Sequence, residues 1–364
     1  MERCIDGATD TIRFETYILR EAGPAERFRN ALLRARGRGV RVRVLLDAFG
    51  SEEVREEFVA PLREAGARVT RFNPMRLMRL PFRNHRKLLV VDAQAAVVGG
   101  FNIGPEYAGD GVTRGWCDAG LTIRGPVVVE LAQSFDAMFV LAPFTAWRIR
   151  RIRRLLRRVA AASGPHHVVG NGPVELFVRG PMIPRRPLRR ALRHDLRRAR
   201  DVAIASAYFL PASGIRRLLY HVMRNAGRVR ILLAGKTDVP LARYAAERFY
   251  RRLFRRGIAI HEYQPQILHA KVFVVDDVLY VGSSNLDRRS LLINHELLLR
   301  LAWPELAADA RSWFEAALQH APAVNPQQWR AERTLWQRLR SRFAYQLLGR
   351  LDPLLARRGF RSIS

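Results

Sequence analysis

The sequence predicts an α/β protein built from two similar halves. Each is an α/β/α sandwich around a mixed β-sheet, and a pseudo-twofold axis relates them, with the active site at their interface. Three observations carry this reading. Strand-like and helix-like segments alternate along the 364 residues, the pattern of layered α/β folds. The string "RVRVLLDAFGS" from Arg41 returns as "RVRILLAGKTD" from Arg228. The string "NHRKLLVVD" from Asn84 returns as "LHAKVFVVD" from Leu268. Duplication on this scale places a shared site at the junction of the repeats.

The elements follow in order. In the first half, β-rich Thr11 to Ile18 and Val40 to Leu46 flank a helical stretch from Ala25 to Arg38, and a helix follows near Glu52 to Ala65. In the second, Val202 to Leu210 and Val229 to Leu233 flank a helix around Gly214 to Asn225, with a further helix from Leu241 to Arg256. Each half then runs through its His-x-Lys strand into "AAVVGGFN" or "VLYVGSSN". The second half also has "VELFV" (Val174 to Val178) and a helical run from Arg186 to Ala199 before Val202. Only ten residues precede Thr11, so the first half is expected to lack the matching strand and part of a helix, as a start placed too late would leave it. Gly- and Pro-rich "SGPHHVVGNGP" (Ser163 to Pro173) marks the boundary, giving halves 1–162 and 163–364.

Nearly half the residues are apolar, enough for a sizeable core and against wholesale disorder. Uncharged stretches such as Ala137 to Trp147 are shorter than the roughly 18–20 apolar residues of a membrane span. The start lacks a basic segment followed by an apolar core, so no secretory signal is read. Cys4 and Cys117 provide no disulfide framework and no metal-ligand spacing. An intracellular protein is expected.

The formal net charge is +30, which calls for a polyanionic partner, nucleic acid or anionic lipid. Of 63 basic residues, 60 are arginine, leaving only Lys87, Lys236 and Lys271 as lysine. Ammonium and guanidinium are not interchangeable at a tight site. Lys87 and Lys271 occupy matching places in the repeat.

Two basic amphipathic segments stand out. In one, Ile149, Ile152, Leu155, Leu156 and Val159 share a helical face opposite Arg150, Arg151, Arg153, Arg154, Arg157 and Arg158. In the C-terminal one, Trp329, Leu335, Trp336, Leu339, Phe343, Leu347 and Leu348 interleave with Arg333, Arg338, Arg340, Arg342 and Arg350. Both patterns fit helices lying on a membrane surface. Ordinary core packing with an Arg-rich solvent face is the alternative.

The spacing His-x-Lys puts both side chains on one face of a strand, for His85 with Lys87 and for His269 with Lys271. Asp92 and Asp276 lie seven residues beyond the respective histidines. The odd offset turns them to the opposite face, so they are read as structural. Gly99, Gly100 and Asn102 follow, matched by Gly282, Ser283 and Asn285. Small residues such as Gly100 and Ser283 permit close backbone approach to an anion, and Asn102 and Asn285 donate hydrogen bonds to it. Together these residues form a cationic cradle for a phosphodiester. One neutral imidazole attacks phosphorus; the other protonates the leaving oxygen and then deprotonates the acceptor. Lysines and asparagines stabilise the non-bridging oxygens, and no metal or other cofactor is required.

Both segments resemble the H-x-K-x4-D signature of the phospholipase D superfamily with its downstream Gly-Gly/Ser-x-Asn element. "FETYI", "VVGGFNIGPEY", "LHAKVFVVDD" and "VGSSNLDRRS" look like the bacterial cardiolipin synthases of the shorter type, which lack N-terminal membrane helices, over almost the whole chain. The resemblance implies the phospholipase D fold and a carboxylate some thirty residues beyond each histidine to fix its tautomer, Asp118 after His85 and Glu296 after His269. It also implies that His85 is the nucleophile and His269 the acid/base, with the reverse left open. The histidine in "NHELLLRL" departs from the apolar residue expected there.

The remaining candidates are weaker. His166, His167, His194, His221, His261, His295 and His320 are assigned no role. Lys236 with Asp238 is either a headgroup contact or a structural pair. Glu15 is either a site residue or structural, and Arg288 either touches a lipid phosphate or lies on the surface. The function expected is transfer of a phosphatidyl group from phosphatidylglycerol to a second phospholipid or alcohol hydroxyl. The enzyme would sit peripherally on the cytoplasmic face of the bacterial membrane, bound to anionic phospholipid, with no obligate protein partner. A phosphodiesterase acting on nucleic acid is the alternative. The apolar faces beside the arginines favour lipid.

Overall fold

The computed structural model describes residues 1–73, 82–142, 167–169, 172–180 and 186–351. The 143–162 segment with its basic amphipathic pattern, and the 162/163 boundary, lie outside the described residues.

The first sheet contains β1 (Thr11–Thr16), β2 (Arg41–Asp47), β3 (Arg68–Phe72), β4 (Leu88–Val91), β5 (Ala95–Gly99) and β6 (Gly120–Arg124), in the order β3-β2-β1-β4-β5-β6. The second contains β7 (His167–Val169), β8 (Gly172–Arg179), β9 (Asp201–Ser206), β10 (Arg228–Ala234), β11 (Ala259–Tyr263), β12 (Lys271–Val275), β13 (Val278–Gly282) and β14 (Glu296–Ala302), in the order β11-β10-β9-β12-β13-β14-β8-β7. In each, three strands run parallel and the remainder antiparallel. Strands β1 to β6 therefore match β9 to β14 one for one. The second sheet continues past β14 to β8 and β7, whereas the described part of the first ends at β6.

Side chains alternate across each sheet, as period two requires. Val42, Val44 and Leu46 enter one core with the helices Pro24–Gly37 and Glu56–Glu64. Leu45 and Leu88 enter another, together with Val272 and Val274 of the second half. That central core is shared, and Phe135 and Met138 of the helix Val127–Leu141 and Phe314 of the helix Pro304–Leu318 fill it. A third core lies between β9, β10 and the helices Ser213–Arg224 and Pro240–Phe254. Each fully buried Leu, Val or Phe contributes roughly 1.5–3 kcal/mol. The halves are thus joined by apolar burial, which fixes the residues at their junction.

Candidate active site

The topology gathers the repeated motifs at one edge of each sheet. The parallel strands β1 and β9 end there, at Thr16 and Ser206. The antiparallel β4 and β12 begin there, just after or at Lys87 and Lys271. Strands β5 and β13 end at Gly99 and Gly282, and β6 and β14 begin beside Asp118 and Glu296. His85 and Lys87 therefore stand in the extended lead-in to β4, and His269 in the lead-in to β12, rather than within the ladders.

The lead-ins cross between halves. Asn84 bridges to His295, and Leu268 to Cys117. His85 N–H donates to the His295 carbonyl at 3.0 Å, and His269 N–H to the Cys117 carbonyl at 2.7 Å. Each histidine is thereby laid beside the other half's carboxylate. His85 Nδ1 is 3.1 Å from Glu296, and His269 Nδ1 is 2.5 Å from Asp118 Oδ2. This corrects the expected pairing of Asp118 with His85 and Glu296 with His269. Spacing within a half cannot register a backbone bridge made by the other half.

A carboxylate on Nδ1 keeps the ring proton there and leaves the Nε2 lone pair free. Burial lowers the His85 pKa, with Glu296 opposing. Burial and the neighbouring Lys271 charge bring His269 down to about 3, against the pull of Asp118. Both rings are therefore neutral near pH 7, as a nucleophile must be. Lys87 and Lys271 are buried, and the loss of solvent brings them down to about 7 and about 8. Lys87 Nζ donates to the His85 carbonyl at 2.7 Å, and Lys271 Nζ lies 3.0 Å from His269 Nε2. An arriving phosphodiester would supply the counter-charge that keeps both as ammonium. The site can thus hold a phosphate monoanion, offer it a neutral imidazole and move a proton through a second imidazole.

A family profile described as "Cardiolipin synthase, PLD-like domain" matches residues 1–139 and 192–318. The chain belongs to this family. Cardiolipin synthase B of Salmonella typhimurium is 32% identical over 96% of this chain and 84% of its own length. A cardiolipin synthase of Geobacillus sp. is 32% identical over 80% of this chain, but the match spans 58% of that protein. Among solved structures, phosphatidylserine synthase of Haemophilus influenzae aligns with a TM-score of 0.72 at 13% identity, over 98% of this chain and 91% of that one. It shares the fold.

Within this cardiolipin synthase-like frame, several expected residues do other work. A Cβ on Gly100 would stand 2.3 Å from Asp118 Oδ1. Ser283 Oγ, at the matching place, donates to Glu296. Both positions back the carboxylates, and the Ser283 hydroxyl is committed there rather than turned to phosphate. Asn102 holds the Ile18 N–H on its Oδ1 at 3.1 Å and donates to Tyr107 Oη at 2.7 Å. Asn285 is buried, with no partner for its Oδ1. Glu15 is fully buried against Arg86, 2.5 Å away. Lys236 donates to the Pro265 carbonyl, and Asp238 accepts from Tyr208, so the two do not form the structural pair. Arg288 donates to the Gly349 carbonyl at 3.0 Å rather than standing free for a lipid phosphate.

Asp92 and Asp276 lie at the opposite edge of the sheets. Asp92 accepts the N–H groups of Thr9, Asp10 and Thr11, and Asp276 those of Arg200 and Asp201. Each holds the entry of β1 or β9.

The residues missed are aromatic. The Tyr17 ring is 4.9 Å from His85, while Tyr107 and Trp116 are 5.4 and 5.3 Å from His269. Tyr107 and Trp116 come from the segment between Asn102 and Asp118, five residues longer than its counterpart between Asn285 and Glu296. That extra length was the available signal. His295, assigned no role, carries the backbone bridge to His85.

Proposed function

We propose that this chain is a phosphatidyltransferase acting on phosphatidylglycerol through a phosphohistidine. The observation that carries the reading is the crossed arrangement of two neutral, carboxylate-backed imidazoles beside two buried lysines. In the first step His85 Nε2 attacks phosphorus and the bond to the glycerol oxygen breaks; that oxygen takes its proton from Nε2 of His269, which a bound phosphate anion lets carry one by offsetting the burial and the Lys271 charge that otherwise keep the ring neutral. In the second, His269 takes the proton from the hydroxyl of a second lipid, whose oxygen attacks phosphorus and releases His85. Charge growing on the non-bridging oxygens meets Lys87 and Lys271. Asn285, with its unpartnered amide oxygen, stands ready to orient a substrate hydroxyl or, through its amide N–H, a phosphate oxygen.

Membership of the cardiolipin synthase family supports lipid over nucleic acid as substrate. The chain would act as a peripheral protein on the cytoplasmic leaflet, where anionic lipid meets its positive charge. Among the described residues, no helix is long and apolar enough to cross a membrane. The test is incubation of purified protein with labelled phosphatidylglycerol vesicles and identification of products by mass. Cardiolipin and glycerol are expected. Cleavage of DNA with untouched lipid would replace this reading by the nuclease one.

A further inference from the structure

The helix Leu335–Gln346 packs inside out. Its fully buried inward residues are the small Ser341 and Ala344, with Tyr345 beside them edge-on to Phe249 of the helix Pro240–Phe254. Its outward side carries the large apolar residues: Leu335 is 72% exposed, Trp336 71%, Leu339 46% and Phe343 67%. At 100° per residue these four fall within an arc of about 100°. Leu335, Trp336 and Phe343 are the most exposed large apolar side chains among the described residues. The core-packing reading of this segment is excluded for these residues, though Trp329 and Leu348 do pack on the third core.

The helix is firmly built. Thr334 and Gln337 form a capping box, and Arg333 bonds Glu247 at 2.9 Å. Its fixed face therefore points a preformed apolar stripe at solvent. Arg338 and Arg342, both exposed, flank the stripe on one side, and Arg340, 3.6 Å over the Tyr244 ring, on the other. An apolar stripe flanked by arginines is the composition of an interfacial helix. A second copy of this chain would bring the same arginines against themselves, so charge disfavours a dimer through this face. The Gly349 carbonyl just beyond the helix holds Arg288, three residues after Asn285. The stripe is thus tied to the loop that leaves the active site.

We infer that Leu335, Trp336, Leu339 and Phe343 insert into an anionic lipid surface and set the active site against it. This deepens the membrane association proposed above but is tested without turnover, so failure of the transfer chemistry and failure of this inference are distinguishable. Sedimentation with vesicles of phosphatidylglycerol and phosphatidylcholine is compared for wild type and a variant carrying Leu335→Ser, Trp336→Ser, Leu339→Ser and Phe343→Ser. The variant should bind at least tenfold more weakly while turning over a short-chain soluble phosphodiester like wild type. Brominated lipid should quench wild-type fluorescence, and the Trp336→Phe variant should lose most of that quenching, which keeps the test decisive if the fourfold variant fails to fold. Equal vesicle binding by the fourfold variant, or equal quenching without Trp336, would overturn the inference. So would a wild-type dimer that the substitutions dissociate, since the stripe would then be a subunit contact.

Discussion

Asp118 Oδ2 stands 2.5 Å from His269 Nδ1 across 151 residues of chain, while its nearer neighbour in sequence, His85, bonds Glu296. Each half thus supplies the histidine of one pair and the carboxylate of the other. Neither half contains a complete pair, so the site requires both.

The crossing predicts how variants group. Asp118→Asn should behave like His269→Asn, because both disable the acid/base. His85 would still attack the substrate's phosphorus in each, and rapid acid quench should trap a labelled phosphoenzyme. Glu296→Gln should group with His85→Asn and trap little. Losses of about 10²- to 10⁴-fold in kcat are expected for the carboxylate variants, by analogy with carboxylates that orient a catalytic imidazole. Phosphoenzyme in Glu296→Gln and none in Asp118→Asn would reverse the two roles.

The duplicated frame and both His-x-Lys pairs were legible because local pattern determines them. Strand alternation, the repeat of "RVRVLL", and three lysines among sixty arginines are all one-dimensional signals. The crossing was not legible, because Asp118 reaches His269 through the bridge of Cys117 to Leu268, which exists only once the two halves pack. Helical periodicity found the stripe of the C-terminal helix. It gave no means of telling that Ser341 and Ala344, not Leu335 and Phe343, face inward. Gly100 and Ser283 were read as anion neighbours from their size alone, when that size serves the carboxylates behind them.

The pH dependence follows from the buried groups. His85 must be neutral to attack, and burial lowers its pKa, so the acid limb of kcat/KM should fall below the ordinary imidazole value of 6.5. The lysines must be charged to hold phosphate. With Lys87 down at about 7 and Lys271 at about 8, raising the pH through that window strips the cations, and activity should decline there rather than near 10.5. A profile on a soluble phosphodiester tests this. Activity flat to pH 10 would exclude it. Lys271→Arg should remove one alkaline ionisation even as it slows the reaction, since guanidinium does not deprotonate there.

Gly100 is a test of space. In Gly100→Ala the new methyl group meets the Asp118 carboxylate 2.3 Å away, and the flanking strand ends limit how far either can retreat. Asp118 should be displaced from His269, with a loss of turnover approaching that of Asp118→Asn and little change in thermal stability. Ser283→Ala removes the hydroxyl that holds Glu296 and should cost less, about tenfold, because His85 and Asn294 still contact that carboxylate. Near-normal turnover in Gly100→Ala would mean that Asp118 has room to orient His269 from elsewhere.

Asp92 separates structure from chemistry within the same signature. Its carboxylate accepts three backbone N–H groups and the Thr9 hydroxyl at the entry to β1, while its own backbone holds a left-handed φ of 52°. Partial burial works to raise its pKa, but the N–H groups of Thr11, Thr9 and Asp10 outweigh it and hold the carboxyl below its ordinary 3.8. A carboxylate lowered on folding stabilises the protein above its unfolded pKa, and that contribution fades as pH falls through the folded one. Asp92→Ala should therefore cost about 1–2 kcal/mol at pH 7. The gap to wild type should begin to narrow below about pH 4 and close as the pH falls through the lower folded value and Asp92 takes up its proton. Turnover per folded molecule should stay within about twofold of wild type, because Asp92 lies at the opposite edge of the sheet from His85. Asp276→Ala should likewise lower stability at pH 7 without loss of turnover, because its carboxylate accepts the N–H groups of Arg200 and Asp201. Denaturant melts at pH 7 and pH 3.5, read alongside kcat, decide the matter: a fall in kcat without a fall in stability would place Asp92 in the chemistry and reverse this assignment.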